Sequence, residues 1–410
     1  MDIAPIIATL RRHKIIVWLL LLEIALTCAI VCNGVFLIVQ RLHHMDMQSG
    51  IDEHGLVLLQ QAPIDAPSDR YARAQADLAA LRQIPGVLDA GMTNQVPFGG
   101  YSSNGNVRLA PTQPLPTLNA ATYFGENLVQ TFGLRVIAGR AFRPDEFVKA
   151  DIVLAALASG GYKGFPAPVI VSHALAERLW PGQPALGKLL YLTPVASFRV
   201  IGVVDTLARA NAHDARTAQY SMIIPLQMGA DKNQTYVVRT RPQDRQRVLR
   251  ASIAALKQID AQRVITHTST FDAVRQAYFQ DDRAMTGILV SVIVALLLVT
   301  GLGIVGLASF WVAQRHKQIG IRRALGATRT DILRYFQTEN FLIVTFGIVA
   351  GMLLAYALSL WLMAHYELPR LPFSYLPTGA IALWLIGQLA VLGPALRASN
   401  VPPVVATRSV

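Results

Sequence analysis

Four long apolar runs constrain this chain more than any other feature. Each is long enough to cross a hydrocarbon layer of roughly 30 Å, which takes about 20 helical residues. The runs are 15–39, 285–312, 340–363 and 376–396. The composition agrees, because 53% hydrophobic residues and a mean hydropathy of +0.39 are high for a soluble chain. We therefore predict a membrane protein with four transmembrane α-helices and a long insertion between the first and second.

Basic residues indicate which side of the membrane each end of a span faces. They are Arg11, Arg12 and Lys14 before the first span, Arg315, Lys317, Arg322, Arg323, Arg329 and Arg334 between the second and third, and Arg397 and Arg408 after the fourth. The loop between the third and fourth spans has only Arg370. Cytoplasmic loops carry an excess of lysine and arginine. Both termini and the loop between spans two and three are therefore predicted to be cytoplasmic.

The spans divide the chain into nine predicted segments. The first span is expected to stay as an anchor, because its apolar core is much longer than that of a signal peptide. The segments are a cytoplasmic N-terminus (1–14), the first span (15–39), an external domain (40–284), the second span with a stalk (285–312), a cytoplasmic hairpin (313–338), the third span (339–364), a short external loop (365–376), the fourth span (377–396) and a cytoplasmic tail (397–410).

The external domain alternates between strand and helix patterns. Strands are predicted at 55–59, 168–171, 199–204 and 235–239. Helices are predicted from an N-cap at Ser68 to Pro85, from a cap at Ser172 through Leu179, and onward from Pro242. The pattern indicates an α+β domain with two subdomains. Because both cysteines, at 28 and 32, lie in the first span, the core alone must stabilise this domain.

No enzymatic site is predicted. The segment 182–188 has the spacing of a phosphate-binding loop, but Leu189 stands where a serine or threonine must ligate magnesium. The chain is therefore not expected to hydrolyse ATP alone, and no catalytic residue or metal site is expected. His43 and His44, beside Asp46, could bind a metal or form a solvated pair, and the second reading is favoured. The charge of +12 is spread along the chain, so nucleic-acid binding is not expected.

Three polar residues inside the predicted spans are further candidates. They are Glu23 and Asn33 in the first span and Gln388 in the fourth. A charge at that depth is costly and usually faces protein or a water-filled path. Packing is the favoured role, with Glu23 pairing with Arg12 or with a polar group on another span. A role in transport is the alternative.

The basic segment 318–336 lies between the second and third spans and has the pattern of a helical hairpin. The second span is predicted to continue as one helix to near Leu325, where Gly326 supplies the left-handed position that ends it. Thr328 is predicted to cap the next helix, with Asp331 reaching back to the cap. Arg322 and Arg323 would then be presented at the turn. A passive, topology-setting loop is the alternative, but such a loop does not need two caps.

The run 318–328, Gln-Ile-Gly-Ile-Arg-Arg-Ala-Leu-Gly-Ala-Thr, resembles the signature of FtsX-like permeases, the membrane subunits of MacB-type (type VII) ABC transporters. The segments 121–143, 169–189 and 198–204 resemble the periplasmic core domain of that family. The closing segments 393–398 and 402–406 are similar to its C-terminal tail. The resemblance places a permease domain at about 285–403.

The resemblance implies a way of working and a set of partners. The hairpin would dock on a separate ABC ATPase subunit, which would hold ATP and Mg, while this chain binds no cofactor. Two permease chains, identical or similar, would sit in the bacterial inner membrane, with an adaptor and an outer-membrane channel as further partners. The implied ATPase-coupling residues are Ile319, Gly320, Ile321, Arg322, Arg323, Ala324, Leu325, Gly326, Ala327 and Thr328.

The function that the resemblance favours is export of a peptide, antibiotic or lipid-linked substrate. Export would be driven by ATP-powered motion of the external domain, which is called mechanotransmission. Two alternatives stay open. One is a signal transducer like FtsX itself, which activates an external cell-wall hydrolase. The other is lipoprotein release of the LolC/LolE kind. The size of the external domain favours export.

Overall fold

The computed structural model describes residues 14–62, 69–158, 167–230, 234–366 and 371–400. The predicted N-cap Ser68, the residues Arg11, Arg12, Arg370 and Arg408, and the predicted tail beyond 400 lie outside these ranges. The helices are α1 (Lys14–Met45), α2 (Arg70–Arg82), α3 (Leu128–Phe132), α4 (Ala150–Ala158), α5 (His173–Leu179), α6 (Arg245–Ile259), α7 (Phe271–Tyr278), α8 (Gln280–Gln314), α9 (His316–Ala324), α10 (Arg329–Tyr366) and α11 (Leu376–Ser399).

Thirteen strands lie between α1 and α7 within the described residues. They are β1 (Leu56–Ala62), β2 (Val87–Thr93), β3 (Asn104–Val107), β4 (Leu118–Phe124), β5 (Val136–Gly139), β6 (Val148–Lys149), β7 (Ala167–Ser172), β8 (Leu189–Thr193), β9 (Ala196–Val204), β10 (Ser221–Ile224), β11 (Leu226–Gln227), β12 (Thr235–Thr240) and β13 (Val264–Thr270). The backbone forms two compact units: His44–Gln280, called the inserted domain, and the helices on either side of it, called the helical unit.

Four helices of the helical unit are long and apolar enough to cross a membrane: α1, α8, α10 and α11. The predicted architecture of four spans, with a large domain between the first and second, is confirmed. At a rise of about 1.5 Å per residue, α8 and α10 are about 52 and 57 Å long. Both therefore extend well beyond the apolar runs recognised in the sequence.

Small residues bring the spans of the helical unit together. A Cβ atom at Gly351 of α10 would lie 2.5 Å from the Cβ of Cys28, and one at Gly379 of α11 would lie 2.5 Å from the Sγ of Cys32. Such close approaches are typical of membrane helices, whose association depends on packing of small residues. Both cysteines are free and buried, so they fill the core of the helical unit around α1.

The inserted domain contains two main sheets. One has four antiparallel strands in the order β13-β1-β12-β2. Alternate residues along its strands point to opposite faces. One face packs with α2 and α6, through residues that include Val57, Tyr236, Leu78 and Val248. The other sheet is mixed, in the order β3-β4-β10-β7-β9-β5, with β8 also paired to β9.

An apolar core links the two sheets. Leu58 and Val237 of the four-stranded sheet belong to the same buried cluster as Tyr123, Ile170 and Ile223 of the mixed sheet. The sequence predicted two subdomains, and the structure has two sheets that share one core. Sharing arises because each sheet turns an apolar face toward the other, which periodicity along a single strand cannot reveal.

The predicted elements of the inserted domain recur as β1, β7, β9, β12, α2, α5 and α6. Ser172 caps α5, as predicted, by accepting a hydrogen bond from the backbone N–H of Leu175 at 3.3 Å. The described cap of α2 is Asp69, which accepts from the N–H groups of Tyr71 and Ala72. Pro242 opens a single 3-10 turn before α6 begins at Arg245.

Candidate coupling site

The hairpin between spans two and three is a helix, a tight turn and a second helix. α9 ends at Ala324, and Gly326 has a φ of +98°, as the sequence predicted. The N–H of Ala327 donates to the carbonyl of Arg322 at 3.0 Å, and the N–H of Gly326 donates to that of Arg323 at 3.2 Å. This pair of bonds is a Schellman motif, which satisfies the last carbonyls of a helix.

A capping box begins the second helix of the hairpin. The N–H of Asp331 donates to the hydroxyl of Thr328 at 3.2 Å. In return, the N–H of Thr328 donates to Oδ2 of Asp331 at 3.0 Å, and its hydroxyl donates to the same atom at 2.6 Å. The predicted cap is confirmed. Both ends of the turn therefore have satisfied backbone groups, which makes the connection rigid.

The second span does not continue as one helix to Leu325, so this prediction was wrong. α8 ends at Gln314, Arg315 has a φ of −101° and a ψ of 10°, and α9 begins at His316. The guanidinium of Arg315 donates to both carboxylate oxygens of Glu339, at 2.8 and 3.1 Å, and lies over the Trp311 ring. This contact accompanies the break and ties the end of α8 to α10.

An apolar cluster holds the hairpin in place. It contains Val312, Ile319, Ile332, Phe336, Ala395 and Ala398, which come from α8, α9, α10 and α11. Of the predicted coupling residues, Ile319 and Gly320 are buried. Ile319 packs in this cluster and so holds α9 against the neighbouring helices. Ile332 and Phe336 lie on α10, so they join the hairpin to the third span.

The exposed part of the hairpin combines apolar and basic side chains. Leu325 is 83% exposed and Ile321 is 46% exposed. Ala324, Gly326, Thr328 and Arg322 are also exposed, and Ala327 is half-buried. Two exposed apolar side chains beside a basic residue therefore leave apolar surface uncovered at the tip of the turn. We call Ile321, Arg322 and Leu325 the hairpin tip.

The two adjacent arginines, which the sequence treated alike, have different surroundings. The guanidinium of Arg322 lies 4.9 Å from the centre of the Tyr335 ring and is exposed. Arg323 is half-buried, and its Nη1 donates to the backbone carbonyl of Ser399 at 2.5 Å. Ser399 is the last residue of α11. Arg323 therefore links the hairpin to the end of the fourth span.

Sequence reasoning missed the part that Glu339 plays in this site. Its carboxylate is charged, yet its side chain is only 1% exposed, near the start of the third span. Arg315 was interpreted only as a marker of topology. A lone acidic residue bordering an apolar run was the available indication, because a buried carboxylate needs a partner.

The polar residues inside the spans occupy separate places. Asn33 donates to the carbonyls of Ala29, at 3.0 Å, and Ala355 of α10, at 3.2 Å, so it joins two spans. Glu23 lies against α8: a Cβ at Gly303 would be 3.0 Å from its Oε2. Its Oε1 and the Nε2 of Gln388 are buried without hydrogen-bond partners among the described residues. The predicted partner Arg12 lies outside the described ranges.

The two weaker motifs of the inserted domain can now be assigned. The segment 182–188 follows α5 and leads into β8, which is the reverse of the strand-to-helix order of a phosphate-binding loop. His44 is not a solvated side chain. Its Nε2 lies 2.9 Å from the carbonyl oxygen of Ala212, and its ring contacts that of Phe279. Across the described ranges, no group of three potential metal ligands is found.

Comparisons with known proteins agree with this architecture. The family model of the FtsX-like permease C-terminal region matches residues 290–403, and that of the MacB-like periplasmic core domain matches residues 24–256. The fold and the hairpin are thus those of an ABC transporter permease. The chain belongs to the MacB-like family of these permeases.

Two curated relatives carry names that describe export. The macrolide export ATP-binding/permease protein MacB of Acinetobacter baylyi is 26% identical over 58% of this chain and 37% of its own length. The pyoverdine export ATP-binding/permease protein PvdT of Pseudomonas syringae pv. tomato is 27% identical over 60% of this chain and 38% of its own. The aligned part thus spans about two fifths of these relatives.

A solved structure, the periplasmic region of MacB from Actinobacillus actinomycetemcomitans, aligns with 56% of this chain and 94% of its own, at 15% identity and a TM-score of 0.35.

Proposed function

We propose that this chain is the permease part of a MacB-type ABC exporter. In this proposal the hairpin tip docks on a nucleotide-binding partner that holds ATP and Mg. ATP-driven movement of that partner is passed through the spans to the inserted domain, which is mechanotransmission. The cargo is a peptide, antibiotic or lipid-linked substrate. The names of the relatives support export, and the match to the MacB-like core domain favours it over signalling.

The observation that carries the proposal is the rigidity of the hairpin combined with its exposed apolar tip. A Schellman motif and a capping box define the turn, and α10 continues from Arg329 to Tyr366 without interruption. Force applied at Leu325 would therefore reach the third span directly. The Arg315–Glu339 pair and the Arg323–Ser399 bond would pass it to the second and fourth spans.

The orientation follows from charge. Six basic residues lie in or beside the hairpin, which by the positive-inside rule faces the cytoplasm, where ATP is found. The inserted domain then lies on the periplasmic side of a bacterial inner membrane. Pairing of two permease chains, and an adaptor with an outer-membrane channel, are further parts of the proposal.

The test is a charge placed on the hairpin tip. Leu325→Glu should prevent co-purification with the cognate ATPase, because it puts a carboxylate in the centre of an apolar contact. His316→Glu is the matched control: it is exposed, adds the same charge, and lies nine residues earlier, about half a turn around the helix. Retention of wild-type ATPase binding by Leu325→Glu would refute docking at this tip.

A further inference from the structure

The inserted domain contains a large open cleft. Its volume is about 1160 Å³, somewhat above the roughly 300–1,000 Å³ that is typical of small-molecule sites. Its walls are one face and one edge of the four-stranded sheet, the segment 94–103, α7, and Phe124 at the end of β4. The hairpin plays no part in it, so the cleft needs an explanation of its own.

The floor of the cleft is a row of polar side chains. His267, Gln60 and Thr235 lie side by side on β13, β1 and β12. The Nε2 of Gln60 donates to the hydroxyl of Thr235 at 3.1 Å. One step along the same face, Ser269 lies beside Leu58. The face therefore changes from apolar core to uncharged polar surface where it enters the cleft.

The strand β13 presents its edge to the cleft. It is the outermost strand of its sheet in the described structure, paired only with β1. Three consecutive residues, His267, Thr268 and Ser269, all line the cleft. Successive side chains of a strand point to opposite faces of the sheet. Because side chains from both faces border this cleft, the cleft must also run along the backbone edge of β13.

This edge has little of the usual protection where it meets the cleft: its one irregularity, a register shift against β1, lies between Ile265 and His267, before the run 267–269 that lines the cleft. Natural edge strands commonly carry a lysine, a proline or an inward-pointing charge that prevents pairing with another chain. β13 reads Val-Ile-Thr-His-Thr-Ser-Thr, with neither lysine nor proline. The opposite edge, β2, is different, because α3 packs beside it through Thr131, whose hydroxyl donates to Asp89.

The lining of the cleft is uncharged and partly unsatisfied. None of the described residues that line it is a lysine, arginine, aspartate or glutamate. The Oε1 of Gln234 and the Oγ of Ser269 are buried without hydrogen-bond partners in the described part of the chain. Buried polar groups are normally paired. A bound ligand with uncharged hydrogen-bonding groups would satisfy both.

The wall opposite the sheet is held in a strained conformation. Phe98 has a φ of +59°, a backbone conformation that residues other than glycine rarely adopt. Its buried ring packs against the rings of Tyr278 and Phe279. Strain of this kind is kept where the surrounding structure requires it, often at binding sites. The ring contacts hold Phe98, and with it the segment 94–103, against the end of α7.

We propose that this cleft binds an extended, uncharged peptide segment of the exported substrate, which adds as a strand to the free edge of β13. Main-chain hydrogen bonds to the edge supply affinity, and alternate side chains of the peptide lie on the floor formed by Gln60 and Leu58. The identity of the peptide as cargo rests on the proposed export function. The binding itself does not.

The probe is an acetylated, amidated hexapeptide of alternating threonine and valine with a fluorescent label, titrated into the full chain in detergent. We expect saturable binding below about 1 mM. The same peptide with N-methyl groups on alternate residues cannot donate along one edge, and it should bind at least about tenfold more weakly. Equal binding of both peptides, or no saturable binding, would overturn strand addition.

Two lysine substitutions locate the site. His267→Lys places a charge at the cleft edge of β13 and should weaken peptide binding by about tenfold or more. Thr266→Lys is the matched control, because Thr266 is exposed on the same strand but does not line the cleft. It should bind the peptide as the wild type does. An equal loss in both variants, or in neither, would refute the assignment.

An experiment on the complex with the ATPase tests whether the peptide is cargo. If the hexapeptide is cargo, it should raise ATP turnover of the complex with the cognate ATPase, and His267→Lys should abolish that rise. Peptide binding without any effect on turnover would overturn its assignment as cargo. A failure of the chain to associate with an ATPase would instead refute the proposed function, and peptide binding to the chain alone would still be measured.

Discussion

Two buried arginine–carboxylate pairs, one in each unit, differ in what surrounds them. In the inserted domain, Arg263 donates to both oxygens of Asp77, at 3.0 and 2.8 Å, and the two side chains are 2% and 0% exposed. The hydroxyl of Tyr236 also donates to Asp77, at 2.7 Å. Burial, together with the Asp77 charge, raises the pKa of Tyr236, so this hydroxyl stays protonated and keeps donating.

In the helical unit, the Arg315–Glu339 pair has the same forked geometry but looser surroundings. Arg315 is 12% exposed, and the pair lies where α8 gives way to α9. A cavity of about 10 Å³, close to the space of one water, adjoins Glu339 and Trp311. The first pair closes a fixed core, whereas the second joins two helices at an interruption. We infer that the first serves stability and the second serves coupling.

The largest effect is expected from breaking the first pair. Asp77→Ala leaves the Arg263 charge buried and unpaired, which should lower the free energy of unfolding of the inserted domain by about 3–5 kcal/mol. Denaturant-dependent proteolysis of the full chain measures this. Asp145→Ala, which removes an exposed carboxylate from the same domain, is the control. A loss no larger than in the control would contradict the assigned role.

Breaking the second pair should act mainly on coupling. Glu339→Ala leaves Arg315 without its partner and should destabilise the helical unit by about 3 kcal/mol, the lower end of the range for such pairs. ATP turnover with the cognate ATPase should fall more than about tenfold, while the protease resistance of the inserted domain is unchanged. Replacing both residues, as Arg315→Met with Glu339→Leu, should restore stability but not turnover. Restored turnover would show that the pair only fills space.

The two neighbouring arginines refine the comparison within the helical unit. Arg323→Glu removes the bond to the Ser399 carbonyl and puts a negative charge at the C-terminal end of α11, where the helix dipole disfavours it. We expect a loss of about 1–2 kcal/mol and faster proteolysis near that end. Arg322→Glu removes the contact with the Tyr335 ring, which should lower the stability of the helical unit by about 0.5–1 kcal/mol. The same substitution should also weaken binding to the ATPase. Equal proteolysis of both variants would mean that Arg323 is not a link.

The smallest effect concerns a half-buried pair of the inserted domain, Arg140 and Glu146. Hydrogen bonds from Arg140, and then one from the N–H of Arg143, hold the pKa of Glu146 below its usual value. The pair therefore stabilises the fold above the unfolded pKa of about 4.3. That contribution is lost as the pH falls through the lower folded value. We measure the melting temperature of the chain as the pH is lowered. Glu146→Gln should make the fall of the melting temperature with pH slightly less steep. A fall as steep as in the wild type would mean that solvent screens the pair completely.

The features of the hairpin that could be predicted are local. Gly326 and the Thr328–Asp331 box involve residues at most a few positions apart, so backbone geometry and side-chain type are sufficient to identify them. The four spans were equally accessible, because length and apolarity alone decide whether a helix can cross a membrane. In the inserted domain, the cap at Ser172 has the same origin.

The contacts that sequence reasoning missed are all distant along the chain. Arg315 and Glu339 are 24 residues apart, and Arg323 and Ser399 are 76 apart. Gln60 and Thr235, in the floor of the cleft, are 175 apart. A sequence pattern shows that a buried charge or a free strand edge needs a partner, but not which partner.

By itself the sequence determined the spans, the turn and its caps, because these depend on local hydrogen bonds and apolar length. Only tertiary packing decided which arginine binds which oxygen and where β13 is left open, because those choices depend on how distant segments fill space together.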